Sequence, residues 1–375
     1  MIMQNIYPTR VLHVMSGLNM GGIETIVTSL YRHVNKEKIQ FDFVLHVNET
    51  QHYTDLVKSL GAQIYVAPQP KKVGLIRYIL WWNQFFKEHR QYSIVHGHVP
   101  TYASIYLGIA KKNKCTTICH CHTAFPTVKG MTKMVRSLLH YPLRWVADYH
   151  FACSIQAGEY LYGKKIIHSH NFQVIKNARD TRLFVYQPNI RQILREKLRI
   201  NECFVVGHIG RFIEVKNHVF LFKIFSAIYK KNSRARLLLV GDGPLKEQLV
   251  HQIKVLGIEK VVIFANNVSN PQDYYQAMDV FVFPSLYEGL GMVLIEAQIS
   301  GLPCVLSANL PKEADLQVGL CHRVDLTDSV EKWVETVLSS TTGSRISYGK
   351  EAIEKGFEII TLAKRLENFY LSIVK

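Results

Sequence analysis

The stretch over residues 278–303, MDVFVFPSLYEGLGMVLIEAQISGLP, constrains the fold of this chain more than any other. It opens on Val280-Phe281-Val282-Phe283, an unbroken apolar run of the kind buried inside a parallel sheet. Pro284 and Ser285 end that run, and Glu288-Gly289-Leu290-Gly291 forms a turn whose glycines let the backbone come close to a ligand. From Met292 to Ser300 the pattern is helical, and Gly301 with Pro303 stops it. The product is a strand, a glycine turn and a helix N-terminus. Free N–H groups at such a terminus favour phosphate. The carboxylates Glu288 and Glu296 accept hydrogen bonds from hydroxyls, so the pocket suits a phosphate and a sugar side by side.

The same kind of unit opens the chain. Val11-Leu12-His13-Val14-Met15 predicts a first strand, which runs into a loop ending at Gly21-Gly22 and then a helix over 23–33. These glycines do not follow G-x-G-x-x-G. The acid expected at the end of a second strand is also missing, since Asp42 lies inside Phe41-Asp42-Phe43-Val44-Leu45. A nicotinamide-dinucleotide site is therefore not indicated. Strands are predicted at 63–66, 94–96 and 116–119, with helices at 53–60, 75–89 and 102–111 between them. Such alternation is a doubly wound α/β domain, which binds ligands outside the C-terminal ends of its strands. His96-Gly97-His98 and His120-Cys121-His122 fall there, making His98 and His120 candidates for lining one ligand cleft.

Cys119-His120-Cys121-His122 has the density of a metal site. On a strand, however, its cysteines and histidines alternate between faces and cannot close a tetrahedron alone, so no metal is expected. The seven cysteines include no CxxC pair, which argues against a disulfide framework and a zinc ribbon.

Charge is uneven: 21 basic against 9 acidic side chains over residues 1–180, and 24 against 20 over 181–375. A basic half suits an anionic partner. Lys129, Lys133, Arg136, His140 and Arg144 share one helical stripe, which suits either contact with an anionic membrane surface through residues 129–144 or a solvated helix packed on its own domain. Trp81-Trp82 and Phe85-Phe86 belong either to that surface or to the core. No nucleic-acid-binding signature is present, so no nucleic acid is expected. With neither a spanning segment nor a signal sequence, the expected location is cytoplasmic, peripheral on the inner face of the membrane.

A chain of 375 residues exceeds one core. The predicted organisation is a first α/β domain over 1–180, a second over 181–355, and a helix over 356–375 returning to the first. In the second domain, a strand over 204–209 leads into Gly210-Arg211-Phe212-Ile213-Glu214-Val215-Lys216-Asn217, where Arg211 and Lys216 are placed to grip a diphosphate. Gly241-Asp242-Gly243-Pro244 follows a buried strand, and Asn266 follows another. Closing helices are predicted over 327–339 and 346–374.

Four blocks in this order resemble the retaining glycosyltransferases of the GT-B fold, glycosyltransferase family 4 (group 1). They are residues 15–25 with Gly21-Gly22, GRFIEVKNH from Gly210, GDGPL from Gly241, and the E-x7-E of Glu288 and Glu296. Residues 118–123 are similar to the H-S-H-N-T stretch of bacterial exopolysaccharide and capsule members. The resemblance implies two Rossmann-like domains facing a cleft, a nucleotide-diphosphate sugar (a UDP-sugar) as donor, and a lipid-linked glycan as acceptor. It implies that Arg211 and Lys216 bind the diphosphate and Glu296 the ribose, while Glu288 and the amides of Gly289, Leu290, Gly291 and Met292 serve the hexose and phosphate. Gly22 would lie near the phosphates and His122 near the transferred sugar. The base would stack near residues 265–268, where Ala265-Asn266 departs from the family's usual glycine. Neither a cofactor nor a metal is implied, and retention would follow from same-face attack. An epimerase or phosphorylase of the same fold, or a non-catalytic partner subunit, are the competing expectations.

Overall fold

The computed structural model describes residues 7–19, 21–47, 50–122, 138–266, 268, 270–341 and 344–374. The chain divides into two compact units, Met1–Arg179 together with Glu358–Lys375, and Asp180–Phe357.

In the first unit β1 (Thr9–Met15), β2 (Ile39–Leu45), β3 (Ile64–Val66), β4 (Ile94–Gly97), β5 (Thr116–Cys121), β6 (Tyr149–Ala152) and β7 (Phe172–Val174) form one sheet. Their order is β3-β2-β1-β4-β5-β6-β7, parallel at every pairing. The chain builds outward from β1 to β3, then returns to add β4 on the other side. That reversal opens a crevice at the C-terminal ends of β1 and β4.

Period-two alternation sorts the side chains of each strand onto two layers. Leu12, Val14, Val95, Cys119 and Cys121 face one layer with Tyr78, Trp82, Phe85 and Phe86 of the helix Leu75–Glu88. The aromatic pairs are thus core, with Trp81 packed against it. Val11, Met15, Phe41, Phe43, Ile94 and Ile118 face the other layer, covered by the helices Gly22–His33 and Ile359–Ser372. The latter contributes Ile359, Leu362, Ala363, Leu366 and Tyr370, and its Glu367 accepts a hydrogen bond from the Asn35 N–H at 2.9 Å. The closing segment read as one helix is two, Gly349–Glu354 and Ile359–Ser372, because Gly356 takes a left-handed φ of 78° between them.

Asp42 is a structural acid. It is fully buried within β2 and accepts from Arg10 Nη2 at 2.6 Å, the Tyr92 hydroxyl at 2.8 Å and the Gln63 N–H at 2.6 Å.

Of the basic stripe, Lys129, Lys133 and Arg136 lie outside the described residues. A turn at Tyr141-Pro142 separates helical residues 138–140 from the helix Leu143–Val146. Arg144 stacks 4.6 Å over the Tyr141 ring and donates to the Tyr162 carbonyl at 2.7 Å, so it is tied to its own unit. No helix among the described residues is long and apolar enough to cross a membrane.

The second unit repeats the plan. β8 (Phe204–Ile209), β9 (Ala235–Val240), β10 (Val262–Ala265), β11 (Val280–Phe283), β12 (Cys304–Ser307) and β13 (Cys321–Val324) run parallel in the order β10-β9-β8-β11-β12-β13. Its reversal falls between β8 and β11. The run Val280-Phe281-Val282-Phe283 is fully buried between two helical layers.

Tyr370 anchors the returning helix: its ring is buried and its hydroxyl lies 2.7 Å from His96 Nδ1. Replacing Tyr370 by Phe is expected to leave a buried imidazole nitrogen unpaired and cost about 1–2 kcal/mol. Tyr370→Ala adds a cavity and is expected to cost about 4 kcal/mol. Urea titration of the first unit's unfolding checks both.

Candidate functional site

The loops after β8 and β11 meet at the reversal point of the second sheet. After β8, Gly210 and Arg211 lead into a single 3-10 turn, Glu214–Lys216. Asn217 then takes a left-handed conformation, φ 54° and ψ 44°, and caps the helix His218–Lys231. Asparagine tolerates this region better than other non-glycine residues, which accounts for its place after Lys216. After β11 the chain turns at Ser285, and the Leu286 N–H donates to the Val215 carbonyl at 2.8 Å, joining the two loops through backbone. Beside that link, Lys216 Nζ lies 2.7 Å from Glu288 Oε1, with only 14% and 13% of the two side chains exposed. Lys216 Nζ also sits 4.7 Å over the Phe283 ring. The expected diphosphate cation and the expected hexose carboxylate are therefore one ion pair. Arg211 is exposed at the mouth of the same loop.

Gly291 adopts φ 79° and ψ 54° and caps the helix Met292–Ile299, presenting the N–H groups of its first turn. Leu290 is buried, so only its backbone is available to a ligand. Glu296, one turn further in, is buried and accepts from the Tyr275 hydroxyl through Oε2 at 2.8 Å. That hydroxyl, absent from the sequence reading, holds the carboxylate in place. Asn266 is exposed, and its Oδ1 accepts from Lys246 Nζ at 2.7 Å. Lys246 was not singled out either; its signal is its position directly after GDGPL.

Gly241 and Gly243 explain the GDGP turn. Gly241 has φ 140°, and a Cβ there would come 2.1 Å from the Gly210 carbonyl oxygen. A Cβ on Gly243 would come 2.5 Å from the Phe212 carbonyl oxygen. Hydrogen bonds from Phe212 N–H to the Asp242 carbonyl (2.9 Å) and from Leu245 N–H to the Phe212 carbonyl (3.2 Å) close the contact. Gly241 thus acts by letting the turn support the Arg211–Lys216 loop backbone to backbone.

Two further histidines lie beneath that loop. His208, in β8, is buried with Nδ1 2.9 Å from the Val282 carbonyl, and His218 opens the following helix. Burial and the nearby Lys216 charge pull the His218 pKa down to about 4. Burial, then His218 and Lys216, hold His208 well below its ordinary value. Both rings are neutral at neutral pH.

In the first unit Gly21 precedes the helix Gly22–His33, and a Cβ on Gly22 would meet nothing within 4 Å, so this helix end is open. The Glu24 carboxyl lies against Gly21, and burial pushes its pKa up. Beyond β1, β4 and β5 the histidines converge. The register pairs His13 with His96 and His96 with Ile118, so His13, His96, His98, His120 and His122 share one face. Nδ1 of His13 lies 2.9 Å from Nε2 of His98, and Nδ1 of His98 lies 2.9 Å from Nε2 of His122. A second run links His120 Nδ1 to His96 Nε2 at 3.2 Å and His96 Nδ1 to the Tyr370 hydroxyl. Burial pulls His13 down to about 3 and His122 to about 4, and holds His96, His98 and His120 well below the usual range. The cluster is uncharged at neutral pH. Sequence patterning named both pairs, His96 with His98 and His120 with His122, but passed over His13, whose convergence with them depends on strand register.

Two predictions follow from the second unit. Gly241→Ala is expected to displace the Arg211–Lys216 loop and lower that unit's stability by more than about 2 kcal/mol, read as a drop in its melting temperature. His208 and His218 are neutral in the folded unit but titrate near 6.5 when unfolded. Protonation therefore favours the unfolded chain, and stability present above pH 6.5 is lost as pH falls toward about 4. A series of urea titrations across that window, with His218→Leu flattening the slope, checks it.

Known proteins resemble this chain in sequence and fold. Residues 20–183 match the profile described as Glycosyltransferase Family 4, and residues 190–316 the profile described as Glycosyl transferases group 1. The protein EpsF of Bacillus subtilis, named as a glycosyltransferase, is 32% identical over 343 residues, covering 90% of this chain and 88% of that protein. The UDP-Gal:alpha-D-GlcNAc-diphosphoundecaprenol alpha-1,3-galactosyltransferase of Escherichia coli is 22% identical over 382 residues, 97% of each chain. Among solved structures, HepE of Anabaena in complex with UDP and glucose superposes with a TM-score of 0.77 at 18% identity, over 97% of this chain and 100% of that one. The chain belongs to glycosyltransferase family 4, group 1, and is a glycosyltransferase with the GT-B fold.

Proposed function

We propose that this enzyme moves a hexose, with retention of configuration and without a metal in the chemistry, from a UDP-sugar to a lipid-linked glycan in cell-surface polysaccharide synthesis. The observation that carries this reading is the Lys216–Glu288 pair at 2.7 Å, beside the helix N-terminus at Gly291. A cation for phosphate, a carboxylate for sugar hydroxyls and a row of N–H groups stand within one turn of chain. On donor binding the diphosphate takes the Lys216 ammonium, with Arg211 from the same loop, and a sugar hydroxyl takes the Glu288 carboxylate. Lys216 exchanges the carboxylate for the phosphate charge and Glu288 exchanges the ammonium for a neutral hydroxyl, so neither group is left without a hydrogen bond. Glu296, held by Tyr275, receives the ribose hydroxyls. His122, neutral, hydrogen-bonds the transferred sugar, while His98 and His120 line the acceptor side.

As the glycosidic bond breaks, charge grows on the leaving diphosphate. Lys216, Arg211 and the N–H groups after Gly291 are positioned to stabilise it without reorganisation. A leaving phosphate oxygen on the same face takes the acceptor's proton; trapping a covalent glycosyl–enzyme adduct would rule this route out. The UDP and glucose bound by HepE and the diphosphoundecaprenol-linked substrate in the Escherichia coli relative's name support the choice of donor and acceptor classes. A lipid-linked acceptor places the enzyme at the inner membrane face.

Lys216→Ala is expected to lower kcat/KM for transfer from the UDP-sugar by about 100- to 1,000-fold with the fold retained by circular dichroism. Glu288→Ala is expected to act similarly, and unchanged turnover in both would overturn the site assignment. A thermal-shift screen against UDP-, GDP- and ADP-sugars identifies the donor by the stabilisation it confers. Appearance of a new nucleotide sugar without any acceptor would instead make the protein an epimerase.

A further inference from the structure

The five histidines of the first unit form a more demanding arrangement than acceptor binding requires. A charged surface would tolerate isolated imidazoles, but here His13, His96, His98 and His120 are each 5% exposed or less. Hydrogen bonding within the cluster does not saturate them: His13 Nε2, His120 Nε2 and His122 Nδ1 are buried with no hydrogen-bond partner among the described residues. Buried polar groups left in that state call for an explanation.

We propose that His98, His120 and His122 form a binding site for a late first-row divalent transition ion of the Zn2+ class. One ring nitrogen from each of the three lies within 4.8 Å of the others. His98 Nδ1 and His122 Nε2 are already 2.9 Å apart. A tetrahedral ion with bonds of about 2.0–2.1 Å needs its ligand nitrogens roughly 3.4 Å apart, so the His98–His122 pair must open slightly to admit it.

The surroundings supply what such a site needs beyond its ligands. A metal-bound imidazole is usually held through its other nitrogen. His98 binding through Nδ1 keeps Nε2 on His13 at 2.9 Å. His120 is oriented by His96, and His96 by Tyr370 at 2.7 Å. His122 is the partly exposed member of the three. The alternative trio His13, His96 and His98 satisfies the same distance test but is wholly buried, so it lacks an entry path and serves as the support.

The donor set decides the kind of ion. Three neutral nitrogens with no carboxylate in the group suit Zn2+, Cu2+, Ni2+ or Co2+ and not Mg2+ or Ca2+. This is not the diphosphate-bridging ion of other transferases, and the inference does not rest on the transfer reaction. Alternation within β5 alone puts two cysteines on the opposite face. The third ligand comes from the end of β4, the neighbouring strand.

The test uses the full-length, untagged protein, stripped with chelator and dialysed. Titration with Zn2+ by calorimetry is expected to show a single equivalent bound, and Co2+ in its place to give the strong visible bands of a tetrahedral ion. Mg2+ is expected to give no heat. His98→Ala and His120→Ala should each weaken Zn2+ binding at least tenfold, whereas Cys121→Ala, on the other face, should leave it unchanged. His13→Gln, altering only the supporting ring, should weaken it about tenfold. Folded wild-type protein that takes up no Zn2+ would sink the proposal, and so would affinity unchanged in both His98→Ala and His120→Ala. Because wild-type uptake is decisive alone, misfolding of a variant does not shield the proposal from failure.

Discussion

The Lys216–Glu288 ion pair is the contact on which the second unit's site depends. Two loops from non-consecutive strands meet there, and the pair is mostly removed from water. Taking both charges out of water costs several kcal/mol for each ion, and their attraction in a good geometry roughly repays it. The pair therefore adds little net stability. Its value lies in exchange: a phosphate replaces the carboxylate at Lys216, and a hydroxyl replaces the ammonium at Glu288. A site built this way is held shut by an interaction whose two halves are the ligand's own recognition groups.

The pair keeps its geometry because the backbone beneath it is rigid. The GDGP turn packs against Gly210 and Phe212 without side chains between them, and Asn217 takes the left-handed conformation that ends the 3-10 turn after Lys216. Phe283, the last residue of β11, forms the floor under the ammonium. Residues spread through the sequence motifs thus act as one unit around the Lys216–Glu288 pair. Motif glycines here are structural conditions for the cation's position.

Much of this was legible in the sequence. Apolar runs such as Val280-Phe281-Val282-Phe283 and Leu237-Leu238-Leu239-Val240 announce central parallel strands, and the glycine turns after them announce where a ligand binds. Position in the strand order was not legible. That Arg211 and Glu288 both follow strands at the reversal point needs the pairing of β8 with β11. The short strands β6, β12 and β13 lack a distinctive pattern, since YHFA, CVLS and CHRV mix polar and apolar residues. Trp82 and Phe86 read as core more readily than as surface, and laying the helix Leu75–Glu88 on its sheet decides it. His13 was hidden for another reason: inside an apolar strand it reads as an ordinary core histidine, and only register places it beside His96.

The two reversal points share a topology but carry opposite chemistry, and burial explains the difference. At the second sheet the groups are charged, because an ammonium and a carboxylate can compensate each other. At the first sheet five imidazoles sit deep on one face, where unpaired charge would be prohibitive, so burial keeps every ring neutral and hydrogen bonds string the rings together. Neutral rings make poor counter-ions for a diphosphate but good partners for sugar hydroxyls and for soft cations. The returning C-terminal helix is part of that arrangement. Without Tyr370 the inner end of the second run has no partner, and His120 loses the chain of contacts that orients it. A segment from the far end of the sequence thereby sets the geometry of the first unit's polar face.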